Sequence, residues 1–394
     1  MTPTRPRPWS RDVPPGPWDD IVIGSGMGGM TAAALLAKVG RRVLVLEQHY
    51  EPGGFTHTFK RPGYRWDVGV HAVGEVTMRS LTGRLLHALT GGALQWASLG
   101  SVYDTFEFPG GLTLDFPDNP IAFRENLVAA FPNEAAAIDG YFAQVKDIAS
   151  GMRAYYLART LPPSLSRVDT MLAAKAQRAL ELNTQAVVNG LTRDEKLRTV
   201  LTAQWGYYGS KPSRSSFAMQ ALVVKHFLWG GFYPVGGAQQ IARTLLQTVA
   251  DAGGATAIST DVKEILLEGG TAVGVRLANG QEIRAKRVIS AAGIASTVQR
   301  LLPESVRTQP WAGEVAALSP ASAHVCLYLG FKGDIRSAGA GAANQWFYET
   351  WRSDDDAWRV SQHGELTDAP VLYVSFPSLK DPLHDAGPEQ RHTG

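Results

Sequence analysis

Asp20-Ile-Val-Ile-Gly24-Ser-Gly26-Met-Gly28-Gly29-Met-Thr-Ala-Ala-Ala-Leu-Leu-Ala-Lys-Val-Gly40-Arg-Arg-Val-Leu-Val-Leu-Glu47 reads as one βαβ unit that binds a dinucleotide. Ile21 to Ile23 suit a buried parallel strand, Thr31 to Val39 carry helix formers with a small-residue face, and Val43 to Leu46 form a second apolar strand. Gly24, Gly26 and Gly29 supply G-x-G-x-x-G. The first permits the tight turn, the second lets backbone N–H groups approach a pyrophosphate, and the third lets the helix lie close to the strand. Met27 and Gly28 open the helix, whose N-terminal N–H groups point at that phosphate. Glu47 stands where a carboxylate accepts from ribose hydroxyls and repels a 2′-phosphate; Gln48-His49 offers no arginine clamp for one.

Composition leaves room for this unit and more. At 394 residues the chain buries a large core and contains more than one structural unit. A net charge of +2 with no basic run argues against a nucleic-acid partner. The single cysteine, Cys326, excludes an internal disulfide or a cysteine-rich metal site, and its apolar run 324–329 reads as a buried strand. Residues 1–18 are rich in proline and read as a disordered arm. No signal-peptide core or membrane span is visible, so a cytoplasmic protein is expected, with peripheral membrane contact for substrate access left open.

Downstream of Glu47 the chain does not continue the strand-helix alternation of a nicotinamide dehydrogenase. It runs instead through the glycine pair Gly53-Gly54 and then Tyr64-Arg-Trp-Asp67-Val-Gly69-Val-His71-Ala-Val-Gly74-Glu75, where Trp66, Val68 and Val70 alternate as in a strand. Residues 81–232 read as mostly helical, with Ile138 to Leu157 and Leu172 to Asn189 at helical spacing and a hairpin over Asp104 to Phe116. Trp205, Tyr207, Tyr208, Phe217, Phe227, Trp229, Phe232 and Tyr233 are either core or the lining of an apolar tunnel. After Gly236-Gly237 an α/β pattern returns: helix Ala238 to Ala252, strand Thr256 to Ser259, a meander over 261–285, and a buried strand leading to Ala292-Gly293.

Glu47-Gln48-His49, Gly53-Gly54, His57-Thr58-Phe59, Asp67-Val68-Gly69-Val70-His71, Tyr233-Pro234-Val-Gly236-Gly237 and Phe376-Pro377-Ser378-Leu-Lys380-Asp381-Pro382 together resemble the amine-oxidase-like flavoprotein superfamily. Within it they are similar to the retinol saturase branch of the phytoene desaturase and carotenoid isomerase group. The resemblance implies an α/β fold: a Rossmann-like FAD-binding domain, residues 19–80 and 233–300, with an inserted helical or mixed substrate domain over 81–232 and substrate-domain strands over 301–394. It implies noncovalent FAD and a long lipophilic substrate, retinoid or carotenoid-like, whose carbon–carbon double bonds are saturated, desaturated or isomerised. It also implies that the backbone at Val262 reads the adenine and that Ala292 and Gly293 pass beside the cofactor. His71 and Glu75, and His226 on the substrate side, are the candidate proton-handling residues. The resembled proteins carry a second glycine-rich segment near their C-terminus, and nothing like it lies in residues 378–394. A fragment is therefore expected, with the flavin half of the site incomplete and FAD held weakly. An inactive dinucleotide-binding chain and a nicotinamide-dependent dehydrogenase are the alternatives.

Overall fold

A computed structural model describes residues 7–159, 162, 174, 176–321, 324–352 and 369–394. Its organising element is a six-stranded sheet in the order β10-β11-β12-β1-β2-β9. The parallel part joins β1 (Trp18–Ile23), β2 (Val43–Leu46), β9 (Ala255–Ala257) and β12 (Glu282–Ser290). Antiparallel β10 (Val262–Glu268) and β11 (Thr271–Leu277) extend it from β12. Both faces of β1 and β2, the centre of the parallel part, are buried, as a parallel sheet requires. Val22, Val43 and Val45 face Met30, Ala33 and Ala37 of α1 (Met27–Lys38) and Leu245 and Leu246 of the helix Gln239–Asp251. Ile21, Ile23, Leu44 and Leu46 face Val262, Ile265, Val275 and Leu301.

Between β2 and β9 the chain builds a second body. Strands β3 (Thr58–Arg61) and β4 (Tyr64–Asp67) pair as a hairpin, and β5 (Trp96–Ser98) pairs with β8 (Phe232–Pro234). The hairpin β6 (Val102–Phe108) and β7 (Leu112–Pro117) is completed by β14 (Asn344–Tyr348), parallel to β6, and by β15 (Val371–Val374). Phe106, Phe116, Trp346 and Tyr348 of this sheet pack on Ile138, Tyr141 and Val145 of the helix Ala135–Ala158 and on Phe217, Ala221 and Val224 of the helix Phe217–Phe227. Strand β13 (Gly330–Lys332) pairs with β16 (Arg391–Thr393).

The structure corrects four local expectations. Residues 9–18 are not a disordered arm: Trp9 is buried, and Ser10 bridges Ala257 with hydrogen bonds of 3.1 Å to the Thr256 carbonyl and 2.8 Å from the Ile258 amide. A large indole gains enough from burial to pin a proline-rich segment; residues 1–6 lie outside the described ones. The strand over Trp66, Val68 and Val70 ends at Asp67, because that carboxylate is drawn inward by hydrogen bonds. The last meander strand and the strand after it are one, β12, and its end is partly exposed rather than buried. Cys326 is exposed, as are Val325 and Leu327; among the described residues the run 324–329 has no ladder partner beyond the bonds of Leu329 to Gly394. Of the aromatic set, which was open to either reading, Phe217, Phe227, Tyr233 and Trp205 are core and Trp229 is exposed, while two cavities of about 690 and 660 Å³ among the described residues are walled by other residues. Of the expected helix over Leu172 to Asn189, residues 172, 173 and 175 lie outside the described ones; 176–181 are helical, and after a break at Leu182 and Asn183, where Asn183 bridges Ser216, a second helix runs over Thr184–Leu191.

Candidate functional site

The glycine loop divides its work among its members. Gly24 has φ +91, open only to glycine at low cost. A Cβ on Gly29 would overlap the Gly24 carbonyl oxygen and come 3.1 Å from the Ala291 Cβ, so this glycine seats α1 against the sheet. Gly26 and Gly28 are different. A Cβ on either meets nothing within 4 Å. Gly26 caps α1 in an extended conformation with no side-chain cap, and no acidic residue stands in the first turn. Met27 and Gly28 are exposed there. Open space over uncapped helix N–H groups fits a diphosphate.

Glu47 lies 22 residues beyond Ser25 and is buried against the same loop. Its Oε2 accepts from the Ser25 amide at 2.8 Å and the Ser25 hydroxyl at 2.6 Å, and its Oε1 accepts from the His49 amide at 2.8 Å. Ser25 Oγ in turn accepts from the Gly53 amide at 3.0 Å. Of about four acceptor positions on a carboxylate, three are taken, which leaves one for a ribose hydroxyl. Ser25 therefore ties the glycine loop, the end of β2 and the Gly53-Gly54 turn together. Sequence reading passed over it as a variable position of the motif, and its small hydroxyl between two glycines was the available signal. Gly53, at φ +122, makes the turn that brings Gly54 against Gly26. Gln48 is exposed beside Glu47.

The remaining cofactor candidates converge on this corner. The Thr260 and Ser259 amides donate to the carbonyls of Glu47 and His49 at 2.8 and 2.9 Å, which delivers Val262 two residues later. Its side chain is core, so only its backbone is left for a ligand. The Ala291 amide donates to the Ile23 carbonyl at 2.8 Å, laying exposed Ala292 and Gly293 beside the glycine loop.

The three proton-handling candidates have unlike surroundings. Glu75, at φ 49, is ion-paired with Lys225. His226 accepts the Gly74 amide on Nε2 at 2.7 Å, and burial pushes its imidazole below the ordinary value. Gly74 has no room for a side chain against the His226 carbonyl. These residues form a clamp that holds the 74–75 turn on the helix Phe217–Phe227. His71 stands apart: among the described residues its Nδ1 is buried without a partner, and burial, reinforced by the Lys380 ammonium, pushes it down to about 3. An imidazole that titrates near 6.5 when unfolded and near 3 when folded leaves the unfolded chain binding more protons across that window. Stability is expected to fall as pH drops from 6.5 towards 3, by about 1.4 kcal/mol per unit at its steepest from this group. His71→Gln should flatten that component, as read by urea unfolding at a series of pH values; an unchanged slope would remove His71 from the account.

The later motifs interlock here as well. Asp67 accepts from Thr58 at 2.9 Å, from the Ala238 amide at 3.2 Å and from the Tyr233 hydroxyl, while burial pushes its carboxyl up. Asp381 accepts from the Gly236 amide at 2.9 Å, and Arg65 reaches both Asp381 and the Gly236 carbonyl. Lys380 is buried and donates to the His71 carbonyl at 2.8 Å, to Ser375 Oγ at 2.7 Å and to Asn344 Oδ1. Sequence reading found these motifs only as likenesses and assigned Lys380 no part.

Comparison with known proteins bears on this arrangement. The profile of the flavin containing amine oxidoreductase family matches residues 27–385. An all-trans-retinol 13,14-reductase of Danio rerio is 34% identical over 385 residues, covering 92% of this chain and 62% of that protein. The Homo sapiens protein of the same name is 35% identical over 391 residues, covering 95% and 64%. A chloroplastic prolycopene isomerase of Daucus carota is 28% identical over 336 residues, covering 81% and 53%. The chain thus spans under two thirds of the length of these relatives. A solved putrescine oxidase variant superposes with a TM-score of 0.52 at 18% identity, over 72% of this chain and 59% of that one, which shows a shared fold.

Proposed function

From the premise that the chain belongs to the flavin containing amine oxidoreductase family, we propose that it is an FAD-dependent oxidoreductase acting on the carbon–carbon double bonds of a lipophilic polyene. FAD is the cofactor of this family, and the residues fit it: an uncapped helix N-terminus beneath two side-chain-free positions, with a buried carboxylate beside them. When bound, the flavin supplies hydride exchange with the substrate. The observation that carries the substrate class is the 34–35% identity to the two retinol reductases along nearly the whole chain.

The chain's own residues have these parts in the reading. Gly26, Met27, Gly28 and Gly29 offer backbone N–H groups to the diphosphate, Glu47 offers its remaining acceptor position to the ribose, and Val262, Ala292 and Gly293 border the same corner. His71, neutral at rest and with an unpartnered ring nitrogen, accepts the proton released as hydride leaves the substrate, and returns that proton when the step runs in reverse. His226 and Glu75 hold the turn instead. Among the described residues no helix is long and apolar enough to cross a membrane; peripheral membrane contact belongs to the proposal only as a route for a lipophilic substrate.

The test is to titrate the chain with FAD by flavin fluorescence, reduce the complex anaerobically and follow reoxidation by all-trans-retinol and by a carotenoid. Saturable FAD binding with reoxidation by either polyene supports the reading. Saturable NADH binding without flavin overturns it. Glu47→Ala separates two roles within it. Losing the bonds to Ser25 and His49 is expected to cost about 2–4 kcal/mol of stability, and FAD affinity should fall as well. Unchanged affinity alongside that stability loss would mean that Glu47 serves the loop alone.

A further inference from the structure

Lys380 is a fully committed cation that the proposed chemistry leaves unused. An ammonium has three N–H donors, and each has an acceptor: the His71 carbonyl, Ser375 Oγ and Asn344 Oδ1. Asn344 passes the interaction on, donating from Nδ2 to Asp104 Oδ1 at 2.8 Å and to the Tyr207 hydroxyl at 3.0 Å. Tyr207 donates to the same Asp104 oxygen at 2.7 Å. A buried cation and a buried carboxylate are thus joined through one amide, with Tyr373 packed against Tyr207 and the Asp67 carboxylate acting on the ammonium as a second negative charge. Burial pushes Lys380 down to about 7 and Asp104 up to about 6.

The acceptor at His71 is the informative one. Strand β4 stops at Asp67, and the next ladder contact is the bridge of Val73 to Phe232. The His71 carbonyl lies between, outside any ladder, and takes its donor from elsewhere, the Lys380 ammonium. We propose that Lys380 is a positioning residue for His71: its ammonium, balanced by Asp104 through Asn344, fixes the His71 carbonyl and with it the path of residues 68–74 and the placement of the imidazole. This rests on the reading of His71 as the proton-handling residue.

Two double variants separate the bond from the charge. K380Q/D104N is neutral and keeps an N–H donor near the His71 carbonyl, whereas K380M/D104N is neutral and has none. Histidine-labelled chain without cofactor, with the His71 signal assigned through H71Q, reports the ring by NMR, and amide hydrogen exchange reports residues 68–74. The D104N and K380Q/D104N forms should keep the wild-type His71 signal. K380M/D104N should shift and broaden it, and exchange over 68–74 should accelerate at least about tenfold. In flavin-loaded chain it should lower kcat relative to K380Q/D104N with FAD affinity unchanged. Indistinguishable signals and exchange in the two double variants overturn the proposal, as does unfolding of both. Unfolding of K380M/D104N alone overturns it too, since the lost bond is expected to loosen residues 68–74 and not the whole fold. Failure of every form to bind FAD would sink the proposed function and leave this comparison standing.

Discussion

Lys380→Met is expected to lower the stability of the fold by about 3–5 kcal/mol at neutral pH, because it leaves the Asp104 carboxylate buried without its cation. The loss should shrink under mildly acid conditions. Asp104 is already pushed up to about 6 by burial, and without the ammonium it moves higher, so the folded variant binds a proton that the unfolded chain releases above its ordinary 3.8. Stability of the single variant therefore rises as pH falls from neutral towards 5. Adding Asp104→Asn should recover most of the loss, since a neutral pair in the same place carries no uncompensated charge. Urea unfolding of wild type, the two single variants and the double variant at pH 5 and pH 7 measures both effects. A single variant within about 1 kcal/mol of wild type, or a double variant no better than the single, contradicts this view of the network.

The second large effect separates two glycines three positions apart. A Cβ at Gly29 overlaps the Gly24 carbonyl, which belongs to the backbone turn and cannot swing away as a side-chain end would. Gly29→Ala should destabilise by about 3 kcal/mol or more through forced separation of α1 from the sheet. Gly26 has φ −63 and ψ 174, ordinary extended values, and open space where its Cβ would lie. Gly26→Val should leave the melting temperature near wild type and weaken FAD binding at least about a hundredfold, roughly 2.7 kcal/mol. Thermal melts read the first change and flavin fluorescence titration the second. If both substitutions unfold the chain, Gly26 is structural and the space above it is not a ligand cradle.

The sheet half of this fold was legible because its signals are local. The glycine spacing, the apolar strands on either side and the terminal acid lie within one stretch of 28 residues, Asp20 to Glu47. Each glycine's role then followed from backbone geometry. Ser25 escaped because its importance lies in joining Glu47 and Gly53, which no periodicity reports. The strand expected over Trp66, Val68 and Val70 stops at Asp67, because alternation alone mimics a ladder while a buried aspartate with partners on two other segments turns the chain inward. Lys380 was invisible in the same way. Its three acceptors come from residues 71, 344 and 375, and a lysine in a polar run reads as surface until the fold encloses it.

The parallel register of β1 with β12, Ile21 opposite Val288 and Ile23 opposite Ser290, has a consequence in time. A ribosome delivers β1, α1 and β2 long before it delivers β9 and β12, an interval on the order of tens of seconds at ordinary elongation rates. Throughout that interval Ile21, Ile23, Leu44 and Leu46 lack Val262, Ile265 and Val275, the side chains that cover them in the finished sheet. The nascent chain thus carries an open apolar sheet face that closes only when its distant partners arrive. Chaperone demand during synthesis should follow that delay, and slowing translation upstream of residue 255 should increase aggregation more than slowing it beyond residue 290.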